Sequence, residues 1–190
     1  MQTKEDEKMS KAYIFFANGT EEVEALTVVD ILRRAGVEIK MVSTTGDIMV
    51  TSSHDVTIKM DMLLDEVDES ADMLVLPGGI PGVPNLLSNQ ALCDIIYKYN
   101  GLDGKYLAAI CAAPTIYGKL GLLKDKKACC YPGMEDELID AKVCTDSVSV
   151  DGRFITSRGL GTAIDFALTL TAILAGQEKA DALATKIVYR

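Results

Sequence analysis

A chain of 190 residues, 48% hydrophobic and 25% charged, is long enough for one well-filled core and short for two. Its formal net charge of −9 repels nucleic-acid phosphates and anionic lipid, and no apolar run reaches the roughly 18 residues that a membrane helix needs. Five cysteines (Cys93, Cys111, Cys129, Cys130 and Cys144) contain no C-x-x-C pair, which argues against a disulfide framework or a zinc ribbon and for the reduced thiols of a cytoplasmic protein.

Residues 1–10 are polar and charged, without the apolar centre of a signal peptide, and read as a disordered leader to a single domain over 11–190. Residues 11–17 read as a buried first strand that ends at Asn18-Gly19. Thr20 offers a helix N-cap, with Glu21 and Glu22 in the first turn. Apolar positions 25, 28, 29, 32 and 35 share one helix face, and Gly36 closes that helix. Residues 38–43 read as the second strand, and 46–70 as short strands and turns. Residues 73–76 form the next buried strand, broken at once by Pro77-Gly78-Gly79. A helical stretch over 86–100, a strand over 106–110 and a helix from 114 follow. Asp151-Gly152 between 147–150 and 154–156 signals a hairpin. An apolar helix over 160–174 and a short one over 177–186 close the chain. Alternation of strand and helix argues an α/β fold whose mostly parallel sheet is covered on both faces.

The segment Leu107-Ala108-Ala109-Ile110-Cys111-Ala112-Ala113-Pro114-Thr115 carries the strongest functional signal. It places a thiol at the carboxyl end of a central strand, where open α/β sheets keep their sites. It also places sulfur at a helix N-terminus, which predicts a pKa below the ordinary value of about 8.5. The pattern is that of a nucleophile elbow with cysteine for serine, and Ala109, Ala112 and Ala113 suit its crowded turn. Gly78 and Gly79 end the neighbouring strand, and their N–H groups, with that of Ala112, are placed to stabilise an oxyanion or thiolate; a plain turn explains the same spacing. Glu21, Glu22 and Glu24 crowd the first helix start, where negative charge is favourable in itself. Periodicity does not single out which of the three enters the crevice.

Five ordered motifs carry a family resemblance: Ala17-x-Gly19-x-Glu21-Glu22-x-Glu24, Arg33-Arg34-Ala35-Gly36, Leu76-Pro77-Gly78-Gly79, Ala108-Ala109-Ile110-Cys111-Ala112-x-Pro114-Thr115 and Thr156-Ser157-Arg158-Gly159-x-Gly161-Thr162. Together they resemble the ThiJ/PfpI superfamily, most of all the branch of the parkinsonism-associated protein deglycase and its bacterial YajL-like relatives. The resemblance implies a flavodoxin-like three-layer sandwich, a homodimer, and a nucleophilic cysteine matched by Cys111. It also implies a first-helix carboxyl hydrogen-bonded to that sulfur, matched by Glu24. Such a carboxyl donates to a thiolate only when protonated, so its pKa is expected above the reference of about 4.3.

Two positions depart from the pattern. Tyr131, before Pro132, stands where many relatives carry a histidine, and His54, the only histidine, where close relatives often carry an arginine that reaches the partner's site. Both are accessory candidates. Peptidase-like members place a histidine directly after the nucleophile; Ala112 there argues against a protease. The leading expectation is therefore an enzyme acting on a small reactive aldehyde such as methylglyoxal, or on a glycated protein or metabolite, through Cys111 and Glu24 with no metal or organic cofactor. The alternatives are a redox sensor or chaperone in which Cys111 becomes a sulfinic acid, and a dimeric binding protein without turnover.

Overall fold

The computed structural model describes residues 9–189, so residues 1–8 of the expected leader lie outside it. Ser10 is held at both ends: its hydroxyl donates to the Leu174 carbonyl at 2.7 Å, and its own carbonyl accepts the Glu38 N–H at 2.9 Å.

Among the described residues eleven strands run β1 (Lys11–Phe16), β2 (Glu38–Ser43), β3 (Met49–Thr51), β4 (Thr57–Lys59), β5 (Met62–Leu63), β6 (Met73–Leu76), β7 (Tyr106–Ile110), β8 (Lys127–Ala128), β9 (Lys142–Val143), β10 (Val148–Asp151) and β11 (Phe154–Ser157). Six α-helices accompany them in the described residues: α1 (Glu22–Arg34), α2 (Gly82–Ser88), α3 (Gln90–Gly101), α4 (Pro114–Lys119), α5 (Ala163–Ala175) and α6 (Gln177–Lys186). The main sheet has the order β10-β11-β7-β6-β1-β2-β5, parallel throughout except for β10. Its five long parallel strands, taken in chain order, lie 2-1-3-4-5, the flavodoxin-like order.

Alternation along β1 makes the sandwich three layers deep. Ala12, Ile14 and Phe16 pack with Val28 and Leu32 of α1 and Phe166 and Leu170 of α5. Tyr13 and Phe15 face the other way, onto Leu86, Ile96 and Ile116 of α2, α3 and α4. Chain order reverses between β1 and β6, so α1 and α2 leave their strands toward opposite faces and open a crevice at the strand ends.

Local chemistry shifts several expected boundaries. The N-cap of α1 is Glu21, whose carboxylate accepts the Glu24 N–H at 2.7 Å. Thr20 instead accepts the Ala17 N–H at 3.1 Å and closes the turn before the helix. The stretch expected as one helix over 86–100 is two, because Asn89 leaves the helical region and caps α3 by accepting the Leu92 N–H at 3.1 Å. Asp151 pairs with Phe154, so the hairpin turn is Gly152-Arg153, with Gly152 at φ +60°.

Gly36 does close α1. At φ +79°, its N–H bonds the Arg33 carbonyl at 3.1 Å while the Val37 N–H bonds that of Leu32 at 3.0 Å, the paired bonds of a Schellman cap. A Cβ there meets nothing within 4 Å, so a substitution is opposed by the backbone alone. Gly36→Ala is expected to lower unfolding free energy by about 1–2 kcal/mol, the cost of the left-handed region for a residue with a Cβ; urea titration checks it, and an unchanged midpoint contradicts it.

Candidate active site

β7 ends in a strained elbow. Cys111 sits at φ +65°, where a side chain costs roughly 1–3 kcal/mol unless neighbours enforce it. Two do so. The Ser157 carbonyl at the end of β11 accepts the Cys111 N–H at 3.0 Å, and the Cys111 carbonyl accepts the Tyr131 N–H at 2.7 Å. The turn then enters α4, with Ala112 and Ala113 buried and the Thr115 hydroxyl donating to the Ala112 carbonyl at 2.7 Å. The sulfur is thereby held at the crevice where strand order reverses.

From across that crevice α1 delivers Glu24, which is 1% exposed. Its carboxyl is hydrogen-bonded to the Cys111 thiol, and its Oε2 accepts the Gly78 N–H at 3.0 Å. The three clustered glutamates thus have three separate tasks. Glu21 caps the helix, Glu22 pairs with His54 at 3.0 Å, and Glu24 meets the sulfur.

Burial raises the Glu24 pKa to about 7, against the bonds from Cys111 and Gly78 and with help from the charge of Glu21. Burial likewise pushes Cys111 up to about 12, reinforced by the charge and hydrogen bond of Glu24 and opposed by the Ala112 and Gly79 N–H groups. The expected low thiol pKa is therefore overturned. The six-residue α4 begins only at Pro114 and has a small dipole, whereas the Glu24 carboxylate touches the sulfur. The two groups titrate as one unit that holds a single proton between about pH 7 and about pH 12.

The glycine pair makes this contact sterically feasible. A Cβ on Gly78 would lie 2.5 Å from both Cys111 Cβ and Glu24 Oε2 and 3.0 Å from the sulfur. Gly79, at φ +103°, would collide with Glu21 N and Gly19 O at 2.4 Å. Of the backbone donors expected at the sulfur, Gly79 and Ala112 bond it, while Gly78 serves Glu24.

Tyr131 enters through its backbone, as the donor to the Cys111 carbonyl, and its half-exposed ring lies over Gly159. Ile80 and Leu160, which follow Gly79 and Gly159 in sequence, are exposed. His54 lies on the β3–β4 turn with a side chain 70% exposed. Donor atoms of Glu21, Glu22 and His54 fall within 4.8 Å of one another, the only grouping among the described residues able to hold a metal ion. Glu21 Oε1 is also the one buried side-chain oxygen among them without a hydrogen-bond partner. Sequence reasoning missed the clamps from Ser157 and Tyr131, which act through backbone atoms; the quoted Thr156-Ser157-Arg158-Gly159 motif was the available signal for one of them.

A carboxyl raised from 4.5 to about 7 binds its proton more tightly folded than unfolded, so its stability contribution is complete below pH 4.5 and is lost as pH rises through 7. The loss amounts to about 3 kcal/mol at about 1.4 kcal/mol per unit. Glu24→Gln lacks this titration. Denaturant titrations across that window should show wild type losing about this much stability relative to the variant; a constant difference would contradict the burial of an ionisable Glu24.

A sequence profile of the DJ-1/PfpI family matches residues 10–173. Protein dj-1beta of Drosophila melanogaster is 39% identical over 180 residues, which cover 93% of this chain and 96% of that one. Its crystal structure superimposes with a TM-score of 0.91 at 36% identity, covering 96% and 99% of the two chains. Protein DJ-1 homolog B of Arabidopsis thaliana is 38% identical over 183 residues, 95% of this chain but 42% of its own length, so the chain spans less than half of that relative. The glutathione-independent glyoxalase DJR-1.2 of Caenorhabditis elegans is 30% identical over 166 residues, 86% of this chain and 87% of that one. The matched span runs from β1 into α5 and takes in Glu24, the Gly78-Gly79 turn and the Cys111 elbow, and the chain belongs to the DJ-1/PfpI family.

Proposed function

We propose that this chain is a glyoxalase that converts 2-oxoaldehydes such as methylglyoxal to 2-hydroxy acids such as lactate. The observation that carries the reading is the buried Glu24 carboxyl bonded to the Cys111 sulfur, with one proton between them. Burial and the Glu24 carboxylate keep the proton on sulfur at rest, and the two N–H groups that point at the sulfur lower the cost of the minor form with charge on sulfur and the proton on Glu24.

In that form the thiolate adds to the aldehyde carbon, and Glu24 protonates the resulting alkoxide to give a hemithioacetal. The Glu24 carboxylate then removes the hydrogen from that carbon and returns it to the adjacent one, with the hydroxyl proton passing between the two oxygens. The product is a 2-hydroxy thioester. Water hydrolyses it to the hydroxy acid and frees the thiol, and the pair again holds one proton. The carboxyl is the only acid–base group the sequence of steps requires. A glycated thiol or amine that releases its 2-oxoaldehyde as the free thiol or amine departs feeds the same steps, which is deglycation. The resemblance to the C. elegans glyoxalase supports the assignment, and a cytoplasmic setting would keep the thiol reduced.

A second reading is a peroxide sensor. The Gly79 and Ala112 N–H groups that face the sulfur would also stabilise a sulfinate.

We further propose a homodimer, supported by the family resemblance and by the groove along α1, where Val23, Leu26, Ile31, Ile164 and Ile187 form an apolar strip flanked by Glu22, Asp30 and Arg34. His54, on the exposed β3–β4 turn, is the accessory residue expected to face the second copy. Light scattering at micromolar concentration should give twice the mass of one chain, and a monomer would refute the dimer.

The enzyme reading is tested by lactate release from methylglyoxal. Turnover needs the singly protonated pair, so it should rise through about pH 7 as the first proton leaves. Glu24→Gln should lower turnover by about a hundredfold or more while alkylation of Cys111 by iodoacetamide persists. Wild-type turnover in that variant would sink the proton-carrier role; no lactate from the wild type, with peroxide conversion of Cys111 to a sulfinic acid, would leave the sensor.

A further inference from the structure

Two thiols that the Cys111 chemistry does not use meet on the small sheet beside the site. β8 and β9 pair in parallel, Lys127 with Lys142 and Ala128 with Val143. The register continues one step further, because the Cys144 N–H donates to the Ala128 carbonyl at 2.9 Å. Cys129 and Cys144 therefore stand opposite each other with side chains on the same face. Adjacent strands lie about 4.8 Å apart, inside the roughly 4.4–6.8 Å between Cα atoms that a disulfide spans. Burial raises the Cys129 thiol pKa to about 11, and the nearby Cys144 sulfur adds to the rise.

Their surroundings differ. Cys129 is fully buried and fixed on β11: its N–H donates to the Thr156 hydroxyl at 3.0 Å and its thiol to the Thr156 carbonyl at 3.3 Å. Cys144 is partly exposed, bonded to Asp146, with the Lys127 ammonium 2.6 Å from that carboxylate. The adjacent Cys130 points to the opposite side, packing among the residues beneath α3 and α4. One thiol is thus open to an oxidant and the other is held behind it.

We propose that Cys129 and Cys144 form a second redox centre, a dithiol that a hydroperoxide converts to a reversible disulfide. The Cys144 sulfur attacks the outer peroxide oxygen, the O–O bond breaks, and Cys144 becomes a sulfenic acid as an alcohol (or water, from hydrogen peroxide) departs. The Cys129 sulfur then displaces that hydroxyl, its proton leaves with it as water, and the S–S bond forms. Two thiols lose two electrons and one peroxide is reduced. The new bond closes the loop over 130–143, which includes Tyr131, the donor to the Cys111 carbonyl. Oxidation therefore staples the far wall of the elbow, whichever reaction Cys111 performs.

The test uses the full chain, reduced, exposed to hydrogen peroxide and blocked with N-ethylmaleimide. Trypsin cleaves after Lys127, Lys142 and Arg153 and separates 128–142 from 143–153. Without reductant these two peptides should appear joined, lighter by two hydrogens than their sum, with fragmentation placing the bond on Cys129 and dithiothreitol separating them. Cys130→Ser should keep the link, and Cys144→Ser should abolish it. Free Cys129 and Cys144 at a peroxide dose that fully oxidises Cys111, or a link that survives Cys129→Ser, would overturn the proposal.

Discussion

Glu24 and Cys111 occupy a space that admits one negative charge. Each is raised by burial, and the Glu24 carboxylate further resists ionisation of the thiol while the bond from the thiol eases that of Glu24, so the proton they share is the variable around which the site is built. Three chain segments have to converge for that contact to exist: the start of α1, the turn after β6 and the elbow after β7. They converge because strand order reverses between β1 and β6, which sends α1 and α2 to opposite faces and leaves the strand ends open to a ligand. Gly78 is the point of closest approach. Any side chain there would have to occupy the space already filled by the carboxyl oxygen and the Cys111 Cβ.

Such a site is carried by the fold rather than stabilising it. The elbow holds Cys111 in a region that costs roughly 1–3 kcal/mol, and Glu24 is an ionisable group kept from water. The burden falls on neighbours chosen for burial. β6 is buried at every residue and β7 at all but its first. Complete burial of Leu76 and Ile110, the last residues of those strands, contributes about 1.5–3 kcal/mol each, the same size as the strain next to them. The clamps from Ser157 and Tyr131 then leave the strained turn no low-energy alternative, because relaxing it would strand a buried amide and a buried carbonyl.

The sequence made the layered fold legible because its evidence is periodic. Apolar runs ended at turn residues, and the spacing on α1 survived intact in its buried face. What it hid was decided by single atoms. Thr20 and Glu21 both qualify as helix caps by type, and only the local backbone gives the role to Glu21. Asn89 looked like one more polar position in a helix until its side chain closed on the Leu92 N–H. Motif order led to Cys111 and Glu24, but the thiol pKa went the other way. A helix start lowers a thiol pKa in proportion to its dipole, and here a short helix competes with burial first and with a carboxylate in contact second. Composition and spacing contain neither the length of α4 nor the direction of the Glu24 side chain.

The five cysteines illustrate how one residue type takes different chemistry from its surroundings. Cys93 is buried under α3 with its thiol on the Leu87 carbonyl, and Cys130 is core. Cys111 faces a carboxyl, so its sulfur exchanges protons with an oxygen acid and can return to its starting state after adding to an electrophile. Cys129 and Cys144 face each other, and what a thiol pair can exchange is electrons. A carboxyl partner suits a nucleophile used repeatedly, since it stores the proton that the adduct needs. A thiol partner suits a group oxidised once and restored by an external reductant. The parallel register of β8 and β9 and the meeting of Glu24 from α1 with the elbow after β7 therefore assign different reactions to the same side chain, and the loop over 130–143 is the physical link between them.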